Sequence, residues 1–204
     1  MSPRSSEALL GEADLARWRH VCGIFEGVDD TARAVEPFVT QAIERGERVV
    51  HLVADRDAYL RRMPDRAVVA AAARSGQLEV RTWGTTYLAG GRFGAIKMRS
   101  TVRRALREGR ALGFPAVRLI GDMGWISDDV PGAEELLEYE ESIDALVARP
   151  DVSILCTYDV HRHSARRISQ ALGAHRAAVI GGKLKVLEMA GEAPSARERI
   201  LAAA

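Results

Sequence analysis

Hydrophobic positions along the chain fall into two alternating patterns. Six short apolar runs occupy residues 21–25, 48–53, 78–82, 116–120, 152–157 and 177–180. They are rich in β-branched residues and apolar at successive positions, which predicts strands buried on both faces, as in a parallel sheet. Between them the apolar residues recur at helical spacing. Val35, Phe38, Val39, Ala42 and Ile43 form one stripe, ended by Gly46. Pro37 places the start of its regular part near Glu36, since proline disrupts a helix interior. Ala95, Met98, Val102, Ala105, Leu106 and Leu112 form a second stripe, ended by Gly113 and Pro115. Leu136, Leu137, Glu140, Ile143 and Val147 form a third, stopped by Pro150, and Ile168 and Leu172 a fourth, stopped by Gly173. Residues 56–75 are alanine-rich and predict two helical pieces around Pro64. Strands alternating with helices predict an α/β fold with a doubly wound, mostly parallel sheet.

Length and charge narrow this picture. The 204 residues suit one domain, and a hydrophobic fraction of 47% suits a packed core. The net charge of +1 exerts no general pull on nucleic acid or membranes. No apolar run reaches the roughly 18 residues of a spanning helix. The first residues lack a signal-peptide core. A cytoplasmic protein with no membrane partner is expected. Residues 1–17 read as an N-terminal arm or short helix, 18–188 as the domain, and 189–204 as a flexible or helical tail. Cys22 and Cys156 are the two cysteines and are expected as free thiols.

In open α/β sheets, ligands bind beyond the carboxyl ends of the strands. The first such end lies in "HVCGIFEGVDDT", residues 20–31, where a mononucleotide fold would cradle phosphate. Gly23 and Gly27 are present, no lysine follows, and Asp29 and Asp30 add negative charge. This reads as a degenerate phosphate loop. Asp122 ends its strand as a magnesium-binding carboxylate would, yet the lysine and Ser/Thr of a nucleotide site are missing. Neither nucleotide hydrolysis nor a cofactor is expected. The other strand ends supply Phe25 and Glu26; Trp83 and Tyr87, followed by Gly90-Gly91; Met123 and Trp125 beside Asp122; and Tyr158, Asp159 and His161. Aromatic walls with a few polar groups suit a small-molecule pocket. The competing reading is that these rings simply close the sheet edge as core.

Three weaker constellations remain. His20 and Cys22 share one face of the first strand and Cys156 and Tyr158 one face of the fifth, by period-two alternation. If those strands are neighbours, as in RecA-like ATPases, His20, Cys22 and Cys156 form a candidate metal or redox set, set against two buried core thiols. Asp159 and His161 would serve acid–base chemistry if they shared a face, but no nucleophile elbow accompanies them. Arg99, Arg103, Arg107 and Arg110 on one helix, and Glu134, Glu135, Glu138 and Glu141 on the next, read as solvated faces, so no direct nucleic-acid partner is expected.

Six motifs in order, "HVCGIF", "EPFVTQAIERGERVVHLVAD", "GQLEVRTWGTTYLAGGRF", "ALGFPAVRLIGDMGW", "LLEYEESID" and "ILCTYD", resemble the MEDS domain. That sensory domain is named after methanogen and methylotroph proteins and a dichloromethane-responsive repressor. The resemblance covers about residues 18 to 183. It implies a RecA/KaiC-like three-layer sandwich without the phosphate-binding lysine. It also implies a regulatory domain sensing small organic molecules, and a protein partner of kinase, anti-sigma or DNA-binding type. No such output module is expected within these residues, and homo-oligomerisation is left open. The expectation is a non-enzymatic signal-sensing domain with a largely apolar ligand at Phe25, Glu26, Trp83, Tyr87, Asp122, Met123, Trp125, Tyr158, Asp159 and His161. The alternatives are a ligand-free interaction scaffold on an ATPase fold, or an enzyme using His161 and Asp159.

Overall fold

The computed structural model describes residues 18–187; the arm and tail read from the sequence lie outside the described residues. Seven strands form one sheet in the order β3-β2-β4-β5-β1-β6-β7. In chain order they are β1 (His20–Phe25), β2 (Arg48–Val53), β3 (Leu78–Thr82), β4 (Val117–Asp122), β5 (Val152–Asp159), β6 (Ala177–Ile180) and β7 (Lys183–Val186). The first six pair in parallel, and only β7 runs antiparallel, beside β6. Every residue of β1 and β2 is buried, as continuous apolar runs require.

Helices α1 (Val28–Glu44), α2 (Arg56–Arg62) and α3 (Arg66–Arg74) cover one face. There Val35, Phe38 and Val39 of α1 meet Val21, Val49, Ile120 and Leu155 of the strands. Helices α4 (Ala95–Ala111), α5 (Leu136–Leu146) and α6 (Ala165–Gly173) cover the other. Met98, Leu136, Ile143 and Ala171 pack there on Ile24, Val50, Leu119 and Ile154. Odd and even positions of each strand therefore enter different cores. The charged stripes of α4 and α5 partly pair with each other, through Arg99 and Glu138 at 3.1 Å.

Several features differ from the sequence reading. Helix α1 begins at Val28 and runs through Pro37. Pro37 is exposed, so the carbonyl it leaves without an amide partner can meet water. Strands β4 and β5 each extend two residues further, to Asp122 and Asp159. Leu112 and Leu137 are 56% and 41% exposed and do not belong to the buried stripes. Strand β7, absent from the apolar pattern, follows a Gly181-Gly182 turn whose φ values of 56° and 72° suit a two-residue hairpin.

Candidate functional site

A cavity of about 210 Å³ opens beyond the carboxyl ends of β2, β4 and β5, on the α1 side of the sheet. Strand alternation chooses its floor: His51 and Val53 from β2, Asp122 from β4, and Thr157 and Asp159 from β5. Thr31 and Val35 of α1 form one wall, and Ala58, Tyr59 and Arg62 of α2 the other. Asp55 caps α2 by accepting a 2.9 Å hydrogen bond from the Ala58 N–H. No residue of α2 is fully buried, and this helix roofs the cavity with only Tyr59 and Leu60 packed against the core. Met63, just beyond it, is 3% exposed and closes the apolar side.

Two lining residues carry buried polar atoms that find no hydrogen-bond partner among the described residues, Nδ1 of His51 and the hydroxyl of Tyr59. Their rings meet edge to face at 4.5 Å. Burial lowers the His51 pKa to about 3 and raises that of Tyr59 well above its ordinary value. The polar end holds Asp122, Asp159 and Arg162. Burial raises the Asp122 pKa, opposed by the 2.9 Å hydrogen bond from the Gly124 N–H and by the charge of Arg162. The Arg162 guanidinium also lies over the Trp83 ring, 5.8 Å from its centre.

The neutral state of buried His51 has a measurable consequence. The unfolded chain protonates this histidine below its ordinary pKa of about 6.5, while the folded chain holds it neutral down to about 3. Stability is therefore unaffected by this group above that window and falls as the pH drops through it, by up to about 1.4 kcal/mol per pH unit. Urea unfolding of wild type and His51→Phe between pH 7 and 4 is expected to show a shallower loss for the variant. Equal slopes would mean that His51 protonates in the folded chain.

Of the ten residues expected at the site, Asp122 and Asp159 line the cavity. Trp83 is half-buried under Arg162, Glu26 is exposed in the turn before α1, and Phe25 is buried in the core of the α1 face. Tyr87, Met123, Trp125 and Tyr158 are buried on the opposite face of the sheet. There Tyr87 stacks on Trp125 at 5.1 Å and Phe93 on Trp125 at 4.9 Å, as packed core. His161 lies beyond the end of β5 and is exposed. Its backbone N–H donates to Asp159 at 2.9 Å, and no ring contact joins the two side chains. Grouping all strand-end residues together had merged two faces that strand alternation separates. The cavity residues His51, Tyr59, Thr157 and Arg162 were missed, although a histidine inside the apolar run "RVVHLV" was a usable signal.

The metal or redox set is also rearranged. Strands β1 and β5 are indeed neighbours, and Cys22 sits opposite Cys156 in their register. His20 and Cys156 converge, but the other two groups at their meeting point are Glu140 and His175, and Cys22 is not among them.

The family model described as "MEthanogen/methylotroph, DcmR Sensory domain" matches residues 19–176. The chain belongs to the MEDS family. The family's description points to a sensory or regulatory role. A search of curated proteins gives no match. Among solved structures, the MEDS chain is similar to the KaiC-like protein PH0186 from Pyrococcus horikoshii OT3, with a TM-score of 0.56 and 14% identity, covering 78% of this chain and 70% of that one. It is also similar to the flagellar accessory protein FlaH from Methanocaldococcus jannaschii, with a TM-score of 0.54 and 12% identity, covering 84% and 78%. At these identities the likeness shows the fold, which is RecA/KaiC-like. Among the described residues no helix is long and apolar enough to cross a membrane.

Proposed function

We propose that this MEDS domain senses a small organic molecule with an apolar body and one polar group, held in the cavity between α1 and α2. The observation that carries this reading is an apolar-walled cavity at the ligand-binding edge of the fold, with two buried polar atoms that no group among the described residues satisfies. The cavity exceeds the ~150 Å³ that suffices for benzene and falls short of the ~300 Å³ where drug-sized sites begin. A ligand of a few carbons fits that range. Its polar group would meet His51, Tyr59, or the Asp122 and Arg162 end.

The phosphate-loop position supports a ligand other than a nucleotide. The Gly27 N–H donates to the Asp159 carboxylate at 3.1 Å, and the Glu26 N–H to the Asp30 carboxylate at 3.0 Å. Two of the backbone donors near the position of a phosphate cradle are thus engaged by the protein's own anions, which also repel a phosphate. On this reading, that is the sense in which the loop is degenerate. The bound state would be passed on through α2, the roofing helix, none of whose residues is fully buried. The receiver would be a kinase, anti-sigma or DNA-binding partner.

A thermal-shift screen of short alcohols, amines, carboxylic acids and halogenated hydrocarbons tests the reading. A ligand at a hundred times its Kd stabilises by about 2.7 kcal/mol, a shift of several degrees. Ala58→Trp fills the cavity from its α2 wall, where no residue is fully buried, and is expected to abolish that shift while the variant stays folded. ATP with magnesium is expected to give none. No shift with any compound would favour the ligand-free scaffold, and tight magnesium-dependent ATP binding would overturn the proposal.

A further inference from the structure

On the opposite face of the sheet from the cavity, four side chains from four separate parts of the chain meet in the core. They are His20 at the start of β1, Glu140 in α5, Cys156 in β5, and His175 between α6 and β6. All four are buried, and one ligand atom from each lies within 4.8 Å of the others. Nε2 of His20 is 3.2 Å from Oε2 of Glu140 and 3.7 Å from Sγ of Cys156. Sγ of Cys156 is 3.5 Å from the same Glu140 oxygen, and Nε2 of His175 is 3.6 Å from it. A tetrahedral zinc site with bonds of 2.0–2.3 Å has ligand-to-ligand edges of about 3.3–3.8 Å. Four of the six edges therefore already have about that length. The two remaining edges, from His175 to His20 and to Cys156, are no longer than 4.8 Å and close with movements of up to about 1.5 Å.

The surrounding hydrogen bonds aim these atoms inward. His20 Nδ1 lies 3.0 Å from the Asp144 carboxylate, and His175 Nδ1 lies 2.7 Å from the Ala171 carbonyl. Both acceptors favour a proton on Nδ1 and turn Nε2 toward the cluster, as in histidines that bind metals; Nε2 of His20, which also meets the Glu140 carboxylate, would give up any proton it carries when a metal binds. The Tyr158 hydroxyl donates to Oε1 of Glu140 at 2.9 Å, leaving Oε2 turned toward the cluster. Nε2 of His175 is fully buried and has no hydrogen-bond partner among the described residues. A core that needed only packing would not place a carboxylate on the apolar stripe of α5, between Leu136 and Ile143.

We infer that His20, Glu140, Cys156 and His175 form a buried site for a single divalent transition-metal ion, with zinc the best match. Two imidazoles, one thiolate and one carboxylate are a borderline-soft donor set suited to Zn²⁺. The thiolate and the carboxylate together balance the two positive charges, so the core holds no net charge once the metal is bound. The Cys156 thiol gives up its proton to solvent on binding. The ion ties α5 and the turn after α6 to the central strands β1 and β5. This site does not depend on the ligand cavity, and either can fail without the other.

The test uses the reduced, metal-free full chain, loaded with Zn²⁺ or Co²⁺ both when folded and during refolding, because the cluster is buried. One equivalent of zinc per chain by elemental analysis is expected, with a higher Tm than the metal-free chain. Co²⁺ is expected to produce intense visible bands of a tetrahedral centre and a thiolate charge-transfer band in the near ultraviolet. Cys156→Ser removes the charge-transfer band and keeps the visible ones, whereas Cys22→Ser leaves both. His175→Ala abolishes stoichiometric binding. Asp144→Asn weakens affinity about 10–100-fold by releasing the His20 ring. Wild-type chain that folds but binds neither ion would overturn the inference. So would a bound ion whose spectrum is unmoved by Cys156→Ser and whose stoichiometry survives His175→Ala.

Discussion

Replacing Arg118 by alanine is expected to destabilise the domain by about 3–5 kcal/mol, a loss typical of removing one partner of a buried ion pair. Arg118 is the second residue of β4, near the amino edge of the sheet and far along the strand from the cavity. It is 2% exposed, and its Nε donates to Glu47 at 2.5 Å. One terminal nitrogen donates to the Phe38 carbonyl at 3.1 Å and to the Gln41 side-chain oxygen at 3.2 Å. The guanidinium also lies 4.6 Å from the centre of the Phe38 ring. Truncation leaves a largely buried carboxylate and two further acceptors unanswered and opens a void against α1. For a domain of this size such a loss lowers Tm by about 6–20 °C. Urea unfolding at pH 7 measures it directly. The double variant Arg118→Met with Glu47→Gln is expected to recover most of the loss, since it removes both charges and keeps the volume. A loss below about 1 kcal/mol for Arg118→Ala would show that water reaches Glu47 and that the pair is not a buried one.

Glu140→Ala is expected to cost a similar amount, about 3–5 kcal/mol, in chelated, reduced protein. Glu140 is 1% exposed, and its carboxylate pKa is lowered. Burial alone would raise it, but the hydrogen bond with His20, the neighbouring His175 and the Tyr158 hydroxyl outweigh that effect. Removing the carboxylate leaves the Tyr158 hydroxyl and the raised-pKa His20 facing an apolar gap. Tyr158→Phe, which removes one hydrogen bond to a charged acceptor and creates no void, is expected to cost only about 1.5–3 kcal/mol. Comparing the two variants under the same chelated conditions separates the core network from any bound metal. Equal losses would mean that the Tyr158 hydrogen bond carries nearly all of the effect and that His20 does not depend on Glu140.

The strand runs and helical stripes were legible because burial on both faces leaves a continuous apolar signature. The extra length of α1 was not legible, because Pro37 is harmless only when its side of the helix faces water. That is a fact about neighbours and not about Pro37. Strand β7 was hidden because "KLKV" is an exposed edge, yet the Gly181-Gly182 pair preceding it is a hairpin signal that local chemistry alone could supply. The aromatic residues at the strand ends were visible as a group, but their division between a packed core and a cavity was not. Trp125 and Asp122 are three residues apart and face different layers.

What the sequence determined by itself was therefore the alternation of elements, the parallel sheet, the lack of a lysine after Gly27 and the resemblance to the MEDS family. These follow from local periodicity and from residues adjacent in the chain. What the tertiary structure alone decided was which carboxylates meet which rings. His51 and Tyr59 line one cavity because β2 and α2 pack there. Glu140 and His175 meet His20 and Cys156 because α5 and the end of α6 fold over β1 and β5. Some of these meetings join distant positions, as His20 with Glu140, and others nearer ones, but no local pattern encodes them, because only packing brings those surfaces into contact.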